Sequence, residues 1–243
     1  MRFRHITGLD HAMILVRDLE RARDTYERLG FTLTPRGLHS LGSRNHCAMF
    51  GRDYLELMAL PAVPPPAYRY FADFLARGEG VGALALATDD AAAAHTELLR
   101  AGVAADAPLA LSRPVEGLGE ARFTLVQLPP DLTPGLRTFL CQHHTRELVW
   151  RPDCQRHALG ALAIDAVTVA APDPEQYGTL LSGLPVEILR APIAAVTALR
   201  IRVADRAQAA AVLQRGGFSP AALADGTLVV PAGEAHGVSL SFR

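Results

Sequence analysis

Lysine is absent from this 243-residue chain, so all 24 basic side chains are arginines. Schiff-base chemistry, pyridoxal phosphate anchoring and a P-loop each need a lysine amine, and all three are excluded. Cysteine is scarce. Cys47, Cys141 and Cys154 are odd in number and lack C-x-x-C spacing, which argues against a disulfide framework and against a thiolate zinc site. No apolar run approaches the roughly 20 residues a membrane span needs, and the N-terminal stretch lacks the apolar core of a signal peptide. The expected setting is therefore cytoplasmic, away from membranes. A net charge of −1 gives no electrostatic reason to expect a nucleic-acid partner. The run Gly80-Val81-Gly82-Ala83-Leu84-Ala85 matches a loose dinucleotide fingerprint, but its glycines precede a strand instead of joining a strand to a helix.

What is present is a repeat. Gly8 to Val16 reads as a strand, Asp18 as a helix N-cap, Leu19 to Leu29 as an amphipathic helix, and Gly30 as its stop. The same plan returns from Gly80 through Asp90 to Gly102. It returns again from Ile164 through Asp173 to Gly183, and from Val196 through Asp205 to Gly216-Gly217. Four copies of one strand–helix unit mark a duplicated architecture. In the first unit Phe31–Thr34, Asn45–Phe50 and Tyr54–Leu60 read as further strands, giving β-α-β-β-β. The second unit runs to about Thr145, with strands near 121–126 and 138–143; Tyr68–Ala76 reads as a linking helix before it. The third is clipped to one clear strand after its helix, Val186–Leu189. The fourth ends in strands at 227–230 and 238–242. A boundary near His157 divides the chain into 1–157 (units 8–61 and 79–145) and a degenerate 158–243. The fold class is α+β.

Only the first copy carries a histidine on its opening strand. Strict alternation places His11 on one face with Leu9, Met13 and Leu15, and Glu56 on one face with Tyr54, Met58 and Leu60. A carboxylate on an apolar face is costly unless it is paired or bound to a metal. A lone strand histidine is ordinarily a satisfied core residue. Two such residues, on the first and last strands of one unit, point to a shared site.

Asp10-His11 opening the first strand, His39, Gly42 and Asn45 in its middle, and Tyr54-Leu55-Glu56-Leu57 closing the unit resemble the vicinal oxygen chelate superfamily, and within it the glyoxalase-like domain proteins. The resemblance continues through Cys141-Gln142-His143 and Glu147–Pro152 to His157; beyond that only the module plan is similar. It implies paired β-α-β-β-β modules cupped around a divalent metal, with His11 and Glu56 as ligands from the first module. Ala83 stands where the second module's histidine is expected, and Ala166 and Ala198 occupy that place in the last two units. His143 is the expected third ligand, with Gln142 and His144 as register alternatives. Imidazole and carboxylate donors suit Fe(II), Mn(II), Zn(II) or Ni(II) alike.

Glu56 and His39 are the candidate catalytic groups, and His39, Asn45 and Trp150 the candidate substrate contacts. A solvated His39 and a merely packed Trp150 are the plain alternatives. His46 is expected at the surface or a sheet edge, and His236 in a turn of the degenerate half carries little weight. The implied activity is metal-dependent lyase, isomerase or dioxygenase chemistry on a small oxygen-bearing substrate, with a homodimer as an open option. The rival is a metal-free protein that sequesters a small molecule in the same cleft.

Overall fold

The structure, a computed structural model, describes residues 3–115 and 117–243. The first unit comprises β1 (Ile6–Leu15), α1 (Leu19–Arg28), β2 (Gly37–Leu38), β3 (Arg44–Met49) and β4 (Tyr54–Ala59). A 3-10 turn at Pro66–Tyr68 and helix α2 (Arg69–Arg77) lead to the second unit. That unit comprises β5 (Gly80–Thr88), α3 (Ala91–Arg100), β6 (Leu109–Val115), β7 (Gly119–Gln127) and β8 (Arg137–His143). Helix α4 (Arg146–Val149) and a 3-10 turn at Pro152–Cys154 precede the third unit: β9 (Ala161–Ala171), α5 (Pro174–Leu181) and β10 (Val186–Arg190). The fourth comprises β11 (Ala195–Val203), α6 (Arg206–Arg215), β12 (Ala221–Ala222), β13 (Leu228–Val230) and β14 (Ser239–Phe242).

Each repeat starts its helix by the same device. The carboxylates of Asp18, Asp90, Asp173 and Asp205 accept from free amides of the first turns of α1, α3, α5 and α6, each cap contributing about 1 kcal/mol. Two local expectations fail. Phe31–Thr34 is not a strand, because its polar groups are divided between β3, where Thr34 N–H donates to the Cys47 carbonyl at 2.9 Å, and the connector beyond α4. Thr32 N–H donates to His157 Nδ1 at 3.0 Å and Thr32 Oγ1 to the Arg156 carbonyl at 2.6 Å. Strand β6 was not visible in the sequence; it is an outer strand containing Pro114, which an edge tolerates and a central strand does not.

The first two units form one eight-stranded sheet in the order β2-β3-β4-β1-β5-β8-β7-β6, and the last two a six-stranded sheet, β10-β9-β11-β14-β13-β12. Each sheet is joined through antiparallel pairing of its two opening strands, β1 with β5 and β9 with β11. One face of the first sheet, with Ala12, Ile14, Leu55, Leu84 and Leu140, packs into a core shared with α1 and with Val167, Leu199 and Phe242 of the second sheet. The other face carries Met13, Leu15, Met58, Ala83, Phe139 and Cys141, and α2 covers it with Phe71, Phe74 and Leu75. The outer strands β2 and β6 approach one another, so this face closes into a cup.

Strand β1 is irregular where it matters. The β1–β5 register skips between Leu9 and His11, leaving Asp10 as an extra residue in the strand. Such a bulge re-aims side chains. Leu9 packs into the shared core while Met13 and Leu15 face the cup, so the expected common face of Leu9 and His11 does not form.

Asp53, in the turn before β4, ties the two sheets by accepting from Ile164 N–H at 2.8 Å. Burial pushes its carboxyl up to about 7, the Ile164 hydrogen bond offsetting only part of that. A raised carboxyl favours the folded state below its unfolded value near 4, and that advantage is lost as pH rises to about 7. Asp53→Asn keeps an acceptor for Ile164 without the charge. Its unfolding free energy should match wild type near pH 4 and exceed it increasingly up to pH 7, by about 4 kcal/mol at most; urea unfolding across that range checks the sign.

Candidate functional site

The cup encloses a cavity of about 460 Å³. Its walls are largely carbon, from Met13, Met58, Phe71, Leu111, Phe123, Leu125 and Phe139, with His11, His39, Asn45 and Glu56 grouped on the first-module side. A mostly apolar pocket with a few convergent polar groups is the usual form of a small-molecule site.

His11 and Glu56 meet because β1 and β4 run parallel with Met13 opposite Glu56. His11 Nε2 lies 3.4 Å from Glu56 Oε2. The other imidazole nitrogen, Nδ1, lies 2.6 Å from Asp10 Oδ1. Burial alone raises the Asp10 carboxyl, but hydrogen bonds from His11 and His143 more than offset it and hold it at about 2. An ionised Asp10 takes the Nδ1 proton as its hydrogen bond, which leaves the Nε2 lone pair of His11 turned toward Glu56. The His11 ring is also stacked on Tyr54, centroids 4.4 Å apart.

Glu56 is buried, and among the described residues no arginine reaches it within ion-pair distance. Asn45 Nδ2 donates to its Oε1 at 2.6 Å, and His39 Nε2 stands 3.8 Å from the same oxygen. Asn45 fits there because Gly37 lies opposite it across β2–β3; a Cβ on Gly37 would fall 2.2 Å from Asn45 Oδ1. His39 is braced through Nδ1 to Ser43 Oγ at 2.8 Å, and Ser43 Oγ lies 2.8 Å from the Tyr68 hydroxyl. Burial pushes the His39 imidazole down, the Glu56 charge offsetting only part, so it rests neutral near pH 7.

The structure brings His11, Glu56, Asn45 and His39 together and sets His143 apart. His143 Nε2 lies 3.1 and 3.2 Å from the two oxygens of Asp10, on the side away from Glu56. Register gives the reason. His11 opposite Ala85 and Met13 opposite Ala83 make Ala83 the counterpart of His11. Ala85 opposite Phe139 then makes Phe139 the counterpart of Glu56, four residues before His143. Gln142 donates to the Asp89 carbonyl and accepts from Ala91 N–H, and His144 pairs with Thr124. Trp150 packs edge-on to His143 and Tyr54, at 4.8 and 5.4 Å, with its indole N–H buried and unpartnered. His46 is buried, its Nδ1 on the Thr34 carbonyl at 2.8 Å. His236 bridges Glu79 and Thr25 between the two sheets. Asp10, which holds both imidazoles, is the residue of this group that alternation hid.

In the second sheet the same correspondence places Ala166 and Ala198 at the His11 position and Glu187 and Ser241 at the Glu56 position. Glu187 is neutralised there by Arg200 at 2.5 Å. That sheet therefore has no counterpart of the His11–Glu56 pair.

Among the described residues the donor set that suits a divalent ion lies in the first module. Asp10 occupies the Nδ1 side of His11 and leaves Nε2 facing the buried Glu56 carboxylate, which has no arginine within ion-pair distance among the described residues. A tighter group, Asp10, Cys141 and His143, has its ligand atoms within 4.8 Å of one another. Asp10 is already hydrogen-bonded by both imidazoles, and burial holds the Cys141 thiol well above its ordinary range, hence protonated. That group supports the fold around His11.

Paired β-α-β-β-β modules closed into a cup, with their polar groups at one end, define the vicinal oxygen chelate fold. The model of the glyoxalase-like domain matches residues 9–184, well over half of the chain. The chain belongs to the glyoxalase-like domain family. A hypothetical protein from Staphylococcus aureus has a similar structure, with TM-score 0.73 at 13% identity over 97% of this chain and 98% of that one. Homoprotocatechuate 2,3-dioxygenase from Arthrobacter globiformis is similar at TM-score 0.58 and 13% identity, over 98% and 80%. An extradiol ring-cleaving dioxygenase from B. fuscum is similar at 0.57 and 12%, over 98% and 71%. These likenesses are of fold. No curated protein matches the sequence.

Asp10→Ala leaves two buried imidazoles without their shared acceptor and should lower stability by roughly 2–4 kcal/mol in urea unfolding at neutral pH. Because the Asp10 carboxyl is depressed, its contribution is present above about pH 4 and is lost as pH falls toward 2. The gap between variant and wild type should narrow over that interval.

Proposed function

We propose that this protein is an enzyme that moves a proton on a small oxygen-bearing molecule held in the cup, with Glu56 as the base. The observation that carries this reading is the buried Glu56 carboxylate, flanked by two imidazoles and facing a largely apolar cavity. Asn45 fixes one carboxylate oxygen and leaves the other to face the substrate. His39, neutral and next to the first oxygen, takes the proton onward, and the Ser43–Tyr68 pair holds its ring in place. Glu56 is itself buried, so its charge acts at low dielectric.

His11 Nε2 and Glu56 would hold a divalent metal, iron, manganese, zinc or nickel, with His143 supporting Asp10 from behind. When bound, such an ion supplies Lewis-acid polarisation of the substrate oxygens. A second reading, a metal-free binding protein, draws on Ala83 and Phe139, which leave half the expected donor positions without a ligand.

Calorimetric titration of Mn²⁺, Zn²⁺ and Ni²⁺ into the metal-stripped protein separates the two. On the enzyme reading His11→Ala and Glu56→Gln each weaken binding by more than about 100-fold, whereas His143→Ala costs about tenfold or less. Wild-type protein that takes up none of these ions would transfer the cup to the binding reading.

A further inference from the structure

The cup contains two guanidinium groups that the proton-transfer scheme does not use. Arg113, on β6, and Arg137, at the start of β8, both line the cavity. Among the described residues neither has a carboxylate within ion-pair distance, in contrast to Arg23, Arg36, Arg151 and Arg200, which are all paired. Arg137 Nη2 donates to Gln127 Oε1 at 3.1 Å, which orients the guanidinium without neutralising it. Arg113 sits where β6 closes on β2, its Nη1 facing Gly37, on the side of His39 and Asn45. Positive charge among phenylalanine, leucine and methionine side chains is costly without a counter-ion. Arg137, half-buried, oriented by Gln127 and facing the cavity away from the His39 and Asn45 side, therefore presents a site for an anion.

Register strengthens the case. Arg137 is opposite Ala83, the residue that replaces the second module's histidine. The small alanine leaves room beside the guanidinium, so the half of the cup without metal donors carries a charge of the opposite kind to Glu56. A guanidinium fork matches a carboxylate in two parallel hydrogen bonds. Resting on the proposed function, we infer that the substrate is a small carboxylic acid with an apolar, ring-sized body. Its carboxylate lies on Arg137 and its reacting end against Glu56.

The sole tryptophan, Trp150, packs edge-on to Tyr54, which lines the cavity, and reports occupancy by fluorescence. The probes are 3-phenylpropionate and its neutral isostere 3-phenylpropionamide, titrated at neutral pH and cross-checked by calorimetry. The acid should bind more tightly than the amide by roughly tenfold or more, the usual size of a charge-assisted pair. Arg137→Gln should remove most of that preference, weakening the acid far more than the amide. The comparison of acid with amide in wild-type protein stands even if a variant fails to fold. Equal binding of the two probes overturns the carboxylate assignment while leaving the cup as a small-molecule site. Binding of neither overturns the assignment and the small-molecule reading of the cup together.

Discussion

Asp10 lies in the interior of the first sheet with hydrogen bonds from two imidazoles, and the bulge in β1 is what turns it toward them. A buried carboxylate in that position is stable only while both partners stay in place, and it constrains them in return. Through His11 the constraint reaches Glu56, and through Glu56 it reaches Asn45 and His39. Through His143 it reaches the aromatic group of Phe123, Tyr54 and Trp150, the first two of which line the cup. The polar centre is thus one connected set of side chains from β1, β3, β4, β8 and the β2–β3 loop. Its members are oriented by one another, with packing filling the remaining space.

The duplication supplies the frame, and unequal change within it supplies the site. In all four units the strand–helix step is kept, down to the aspartate that caps the helix. What differs is the side chain presented at two equivalent positions, the opening strand and the closing strand. The first unit keeps His11 and Glu56. The second has Ala83 and Phe139, with Arg137 close by. The second sheet has alanines and a glutamate already neutralised by Arg200, and it contributes through its apolar face, which completes the core behind the first sheet. One cup is thereby left with a carboxylate at one end and guanidinium groups lining its wall.

How much of this was legible in the sequence follows from the range of the forces involved. N-caps, amphipathic helices and glycine stops are set within a few residues, and they were readable at Asp18, Asp173 and Asp205. His11 and Glu56 were readable because an ionisable residue interrupting an apolar strand face is conspicuous on its own. Asp10 was not, because alternation assigns it to the opposite face and only the β1–β5 pairing creates the bulge. The position of His143 depends on the register between β5 and β8, more than fifty residues apart, which no local pattern encodes. Phe31–Thr34 had strand composition, but Thr32 is taken by Arg156 and His157 from the far end of the unit, leaving only Thr34 to bond β3.

The account depends most on Asp10 holding His11 with its Nδ1 protonated and its Nε2 bare beside Glu56. Nitrogen-15 NMR of the histidine side chains, with zinc added in steps, measures this directly. The account predicts a His11 ring in the Nδ1–H tautomer whose Nε2 resonance moves as zinc is added, and this response should disappear in Glu56→Gln. A His11 protonated at Nε2, or an Nε2 resonance indifferent to zinc, would contradict it.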